Sequence, residues 1–152
     1  SLLLHLPQPA LRKLMNQLKD LVGRQERVVF VDDAATVRDA AKAMAQANVG
    51  CTAVMDGRRL VGLFTERDVL KRVLLLDLKT DDTLVRDVMT REVVVAQENQ
   101  SVLDAHLLMK RHHIRHLPVL DAAGDLTGVL SIRDLLIDEM ADLRRYIAMT
   151  DY

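Results

Sequence analysis

The chain contains one short phrase twice: Gly62 to Leu70 reads GLFTERDVL, and Gly128 to Leu136 reads GVLSIRDLL. The likeness extends backwards from both copies. TVRDAAKAM (Thr36 to Met44) recurs 65 residues on as SVLDAHLLM (Ser101 to Met109), and VGCTAVMD (Val49 to Asp56) is answered by IRHLPVLD (Ile114 to Asp121). One inserted residue in the following turn brings the two glycines into register. Such duplication constrains the fold more than any bulk property. A unit of about 60 residues makes only a marginal core by itself, so the halves are expected to share one architecture and to bury their apolar faces on each other.

Within each half the hydrophobic period changes in the same order. Val37, Ala40, Ala41, Met44 and Ala47 fall at helical spacing, matched by Val102, Ala105, His106, Met109 and His112. Thr36 and Ser101 stand where N-caps belong. A β-branched run precedes each helix, VVFV at Val28 to Val31 and VVVA at Val93 to Ala96. Two more apolar runs follow, TAVM and LVGLF in the first half and LPVL and LTGVL in the second, divided by the turns DGRR and DAAGD. The expected fold is α/β (α+β): two β-α-β-β-α repeats packed sheet to sheet with pseudo-two-fold symmetry. Residues 10–22 place Leu11, Leu14, Met15, Leu18, Leu21 and Val22 on one helical face, with Gly23 as a stop. They predict one additional helix outside the repeat. The link LLLDLKTDDTL (Leu74 to Leu84) leads to VRDVMT, read as the entry to the second repeat. The resulting division is 1–24 N-terminal helical segment, 25–83 repeat one, 84–140 repeat two, and 141–152 helix end and tail.

Of the 152 residues, 49% are hydrophobic and 28% charged, the composition of a soluble globular protein. The 21 basic and 22 acidic side chains leave a net charge of −1. No global field draws this chain to nucleic acid or to an anionic membrane, and any anion site has to be local. One cysteine, Cys51, excludes an intrachain disulfide and a cysteine-rich zinc site, and suits a reducing, cytoplasmic setting. The opening SLLLHLPQPALRKL has no initiator methionine, no cationic leader and only a short apolar stretch before Pro7 and Pro9. It reads as neither a signal peptide nor a membrane span.

The repeated Ser/Thr-x-x-Asp is a capping box, which satisfies orphan amides at a helix start without any ligand. Each copy also leaves a strand at glycine and opens a helix whose free amides suit a phosphate. Thr65 and Ser131 add a hydroxyl, Arg67 and Arg133 a charged fork. Asp68 and Asp134 can accept hydrogen bonds from the cis-diol of a ribose. The motif is a candidate nucleoside-phosphate grip. HHIRH places His112 and His116 four apart, as zinc ligands stand on a helix, but His116 opens the apolar run toward Pro118 and no third ligand lies near. No metal site is expected. His106 reads as a semi-buried, hydrogen-bonded side chain, whereas Arg115 and His116, at a strand entrance, are candidate phosphate contacts. Nucleophile, base and orienting acid do not occur together in a recognisable spacing, so the chain does not read as an enzyme.

Taken together, the twice-repeated β-α-β-β-α order, RDVMTREVVVA, HHIRHLPVLD, GLFTERD and GVLSIRD resemble the tandem cystathionine-β-synthase-type domain pair, the CBS pair or Bateman module. The likeness runs from about Val28 to Leu136. It implies a disc-like module with two clefts for adenosine-containing ligands. In such pairs the Asp of one repeat holds ribose while the first and second strands of the other frame the base. The resemblance gives the Asp134 cleft Val29, Val49, Gly50 and Cys51, and the Asp68 cleft Val94, Ile114 and Arg115. Repeat one departs from the pattern, with GCTAV where repeat two has RHLPV, and Glu66 stands where Ile132 stands in the second motif. Phosphate is therefore expected at Asp134. The implied function is regulatory: sensing AMP, ADP, ATP or S-adenosylmethionine, with no catalytic cofactor, and relaying occupancy to an attached or separate effector protein. A homodimer is expected through apolar helix faces such as VLKRVLLL (Val69 to Leu76). The alternative is a structural dimerisation module without a physiological ligand.

Overall fold

The computed structural model describes residues 5–23 and 28–135. Two short helices, α1 (Gln8–Met15) and α2 (Leu18–Val22), precede strand β1 (Phe30–Asp32), helix α3 (Val37–Ala47) and the hairpin of β2 (Cys51–Asp56) and β3 (Arg59–Thr65). Helix α4 (Glu66–Asp68) continues as a π-helical stretch, Val69–Leu74. Helix α5 (Val85–Val88) leads into the second copy: β4 (Ala96–Gln97), α6 (Val102–His112), β5 (His116–Leu120) and β6 (Leu126–Ser131). A further helix opens at residues 132–135. Residues 136–152, and with them the expected helix end and tail at 141–152, lie outside the described residues.

The sheets have the same order, β1-β2-β3 and β4-β5-β6, each with a parallel first pair and an antiparallel hairpin. The symmetry reaches small details. Helices α3 and α6 both start with a reciprocal capping box, Thr36 with Asp39 and Ser101 with Asp104. Both end on a left-handed residue, Asn48 and His113, each at φ 53°. Both hairpins shift register near the end of their first strand, at Val54/Met55 and Val119/Leu120. Cys51, Ala53, Met55 and Leu63 from repeat one meet Leu126 and Val129 from repeat two, with Val93 beside them. The expected sheet-to-sheet packing of two α+β repeats is thus present.

Two expectations about the elements need correction. The run over residues 10–22 is not one helix, because Asn16 and Gln17 are extended, with ψ of 146° and 147°. Their backbone pairs with repeat two: Val102 N–H donates to Asn16 O (2.9 Å), Leu18 N–H to Gln100 O (2.8 Å), and Gln17 bridges Ser101. The same bonds occur at the other end of the pair, where Val37 N–H donates to Thr83 O (2.9 Å), Val85 N–H to Ala35 O (2.8 Å), and Leu84 bridges Thr36. Helix α2 is therefore the counterpart of α5, not an addition to the repeat. Each enters the other half's core: Leu18 and Val22 pack among Val102, Leu117 and Leu130, while Val85, Val88 and Met89 pack among Val37, Val54 and Phe64. The halves exchange their entry helices.

The first strands also begin later than the β-branched runs suggest, at Phe30 and Ala96. Thr90 pairs with Leu63 of the other repeat, N–H to O in both directions at 2.8 and 3.0 Å. The valines that follow cross from one sheet to the other, with Val93 in the inter-sheet core and Val94 against the core of repeat two. Their branched side chains serve packing before the ladder begins.

Candidate functional site

The repeated motifs stand where β3 and β6 end. At the first, Asp68 N–H donates to Thr65 Oγ1 (3.3 Å) and Thr65 N–H to Asp68 Oδ2 (3.0 Å). At the second, Asp134 N–H donates to Ser131 Oγ (3.2 Å) and Ser131 N–H to Asp134 Oδ2 (2.8 Å). Both are capping boxes, and each fixes its carboxylate at the strand-to-helix turn by the same pair of bonds.

The carboxylates differ in what remains. Asp68 is 5% exposed, and it also receives the Thr65 hydroxyl (3.2 Å) and the Thr90 hydroxyl, the latter at 3.2 Å to Oδ1 and 3.3 Å to Oδ2. Arg72 Nε lies 3.7 Å from Oδ1. Asp134 is half-buried, and its Oδ1 accepts no hydrogen bond among the described residues. Sequence reasoning missed both Thr90 and Arg72. In the sequence Thr90 is the last residue of the entry segment VRDVMT, and Arg72 sits in a leucine-rich helical run.

The base-frame and phosphate candidates are placed as follows. Strand pairing sets Cys51 opposite Thr65 and His116 opposite Ser131. Val29 and Gly50 are half-buried, Val49 is exposed, and Val94 and Ile114 lie partly buried against the core of repeat two. Arg67, Arg133 and Arg115 are exposed. Cys51 is part of the inter-sheet core at 6% exposure. Burial, and secondarily the Asp68 charge, push its thiol up to about 12, so it stays protonated at neutral pH. Glu66 N–H donates to Gly50 O (3.1 Å), and the Glu66 carboxyl lies so near that a Cβ on Gly50 would meet it at 3.2 Å. Ile132 N–H donates to Arg115 O (2.8 Å) in the equivalent bond. One motif thus carries an acid beside a bare glycine, the other an apolar residue beside arginine.

His116 is pulled in several directions. Burial lowers its pKa below 6.5, nearby Glu66 and Asp134 oppose this, and Arg115 reinforces it. Because the folded state favours the neutral ring, this contribution to stability is fully present above 6.5 and is lost as pH falls from there through the folded value. A phosphate placed beside the ring would favour the cation instead. The His116 midpoint in an NMR titration is expected below 6.5 in the free protein and higher with AMP added. A midpoint unmoved by AMP would remove His116 from the phosphate contacts.

Among the described residues, no group of three His, Cys, Asp or Glu side chains is placed to hold a metal ion, and no helix is long and apolar enough to cross a membrane. The CBS domain model matches residues 18–75 and 85–138, one match for each half. The chain belongs to the CBS domain family. The CBS domain-containing protein YhcV of Bacillus subtilis is 34% identical over 137 residues, spanning 90% of this chain and 95% of that one. Among solved structures, a protein with CBS domains from Burkholderia ambifaria is 34% identical with a TM-score of 0.77, covering 84% of this chain and 96% of that one. The CBS domain protein PAE2072 of Pyrobaculum aerophilum, solved in complex with AMP, is 30% identical with a TM-score of 0.72, covering 78% and 89%. In this CBS pair the first match starts at Leu18, so it includes the exchanged helix α2.

Proposed function

We propose that this CBS pair is a regulatory module that binds an adenosine-containing ligand, AMP, ADP, ATP or S-adenosylmethionine, in the cleft carrying Asp134. The observation that carries the proposal is the Asp134 carboxylate, held by Ser131 through Oδ2, with no donor to Oδ1 among the described residues. A ribose hydroxyl donating to Oδ1 gains a hydrogen bond to a charged acceptor without displacing another donor. Ser131, Arg133, Arg115 and His116 supply hydroxyl, guanidinium and imidazole for phosphate, and Val29, Val49 and Gly50 frame the base. The AMP complex of PAE2072 supports the ligand class. Thr65, Arg67 and Asp68, with Val94 and Ile114, form the corresponding set of the other cleft.

A relay to an effector needs a ligand that prefers one of two arrangements of the halves. The exchanged entry helices supply a mechanical link, since a shift of either sheet moves a helix in the other's core. The reading assigns no catalytic role and a cytoplasmic setting. Thermal shift with adenosine, AMP, ADP, ATP and S-adenosylmethionine tests it, because a ligand bound only by the native state raises the melting point. Flat profiles with all five would sink it. The capping boxes, complete without a ligand, favour a second reading, a dimerisation module alone; flat profiles with an intact dimer are its signature.

For the dimer, Leu70, Leu74, Leu75, Leu76 and Leu78 are all at least 40% exposed, the kind of apolar surface that marks an interaction face. Light scattering is expected to give twice the chain mass, and Leu75→Glu to give a monomer. A wild-type monomer at all concentrations removes this part.

A further inference from the structure

Both motifs build the same carboxylate, and among the described residues Asp68 takes further donors where Asp134 takes none. We propose that Thr90 decides which cleft takes ribose: its hydroxyl occupies the Asp68 carboxylate and closes that cleft to nucleosides, with Arg72 as a second latch. The proposal rests on the adenosine reading above.

The latch comes from the other repeat. Thr90 directly follows the exchanged entry, Met89 being buried in the core of repeat one, and its backbone is pinned to Leu63 by two hydrogen bonds. That pinning delivers the hydroxyl to both oxygens of Asp68. Arg72 strengthens the arrangement from its side. Its Nη1 donates to Met89 O (2.8 Å) and reaches Val88 O (3.5 Å), while its Nε faces Asp68 Oδ1 at 3.7 Å. One guanidinium therefore clamps the entry strand to the carboxylate.

Among the described residues, no side chain stands at Asp134 as Thr90 and Arg72 stand at Asp68. Gln17 and Leu84 occupy equivalent bridges, and counting on from them along the sequence sets Gly23 against Thr90. Glycine has no hydroxyl to give. In the register of the two motifs, Asp138 stands in the sequence where Arg72 stands in repeat one. A ribose entering the Asp68 cleft would exchange one hydroxyl donor for another, leave Thr90 unpaired and have to open a carboxylate that is 5% exposed. At Asp134 the same hydroxyl is a net addition. Thr90 is thus a specificity-determining residue that acts through Asp68.

Calorimetry with AMP on the intact chain tests this. Wild type is expected to bind at one site per chain, lost in Asp134→Ala. Thr90→Val, which keeps the shape and removes the hydroxyl, is expected to show a second site that survives in Thr90→Val/Asp134→Ala; Thr90→Ser, which keeps the hydroxyl, should remain at one. One site in wild type and in Thr90→Val alike overturns the latch and leaves the adenosine reading standing, and two sites already in wild type also overturn it. No binding by any variant sinks both. Should Thr90→Val fail to fold, Arg72→Gln loosens the same clamp from a half-exposed position, and an unchanged single site there overturns the proposal.

Discussion

Phe64→Ala is expected to lower folding stability by about 3–5 kcal/mol, the range for truncating a fully buried aromatic side chain. Phe64 is the largest fully buried side chain among the described residues, with 0% exposure. Its neighbours explain why the loss should reach beyond one repeat. The cluster around it takes Val37, Ala40 and Met44 from α3, Val54 from β2, Val73 from the π-helical stretch, and Val85, Val88 and Met89 from the exchanged entry of repeat two. A cavity there removes contacts holding the two halves together, and the rigid surroundings can collapse only partly into it. Urea unfolding followed by circular dichroism should show one cooperative transition moved to lower denaturant. A loss under about 1 kcal/mol, far below the usual range, or a split into two transitions, would contradict the shared core.

Asp134→Ala is expected to weaken AMP binding by about 1.5–3 kcal/mol, the contribution of hydrogen bonds to a charged acceptor, or roughly 10- to 150-fold in Kd. Asp134 also caps the helix that opens after Ser131, so a stability loss of about 1 kcal/mol should accompany it. Stability and affinity have to be measured together. Asp68→Ala provides the contrast: its carboxylate is already engaged by Thr65, Thr90 and Arg72, so it should lose stability with little change in AMP affinity. If Asp134→Ala behaves like Asp68→Ala, the second motif is a cap and nothing more.

The repeat, the order of its elements and the sheet-to-sheet core were legible because each rests on local periodicity. Thr36 and Ser101 announced their helices through side-chain chemistry within three residues, and both capping boxes are present. The exchange of entry helices was not legible. Leu14 and Leu18 keep the helical phase across Asn16 and Gln17, and what breaks the helix is pairing with Gln100, Ser101 and Val102, far along the chain. The strand starts failed for a related reason: a β-branched run that crosses between sheets looks the same in sequence as one that pairs.

At the site, comparing aligned positions already set Arg115 and His116 against Gly50 and Cys51. What stayed hidden was occupancy. Nothing local to GLFTERD indicates that Thr90 fills its aspartate, and nothing in GCTAV indicates that Cys51 turns into the core while Glu66 settles against Gly50. Each depends on a partner brought in by the fold.

A crystal structure of the chain with AMP would show directly which cleft holds the ligand. Density is expected in the Asp134 cleft alone, with a ribose hydroxyl within hydrogen-bond distance of Asp134 Oδ1 and the phosphate toward Arg115 and His116. The ligand bound at Asp68, with the Asp134 cleft empty, would contradict it.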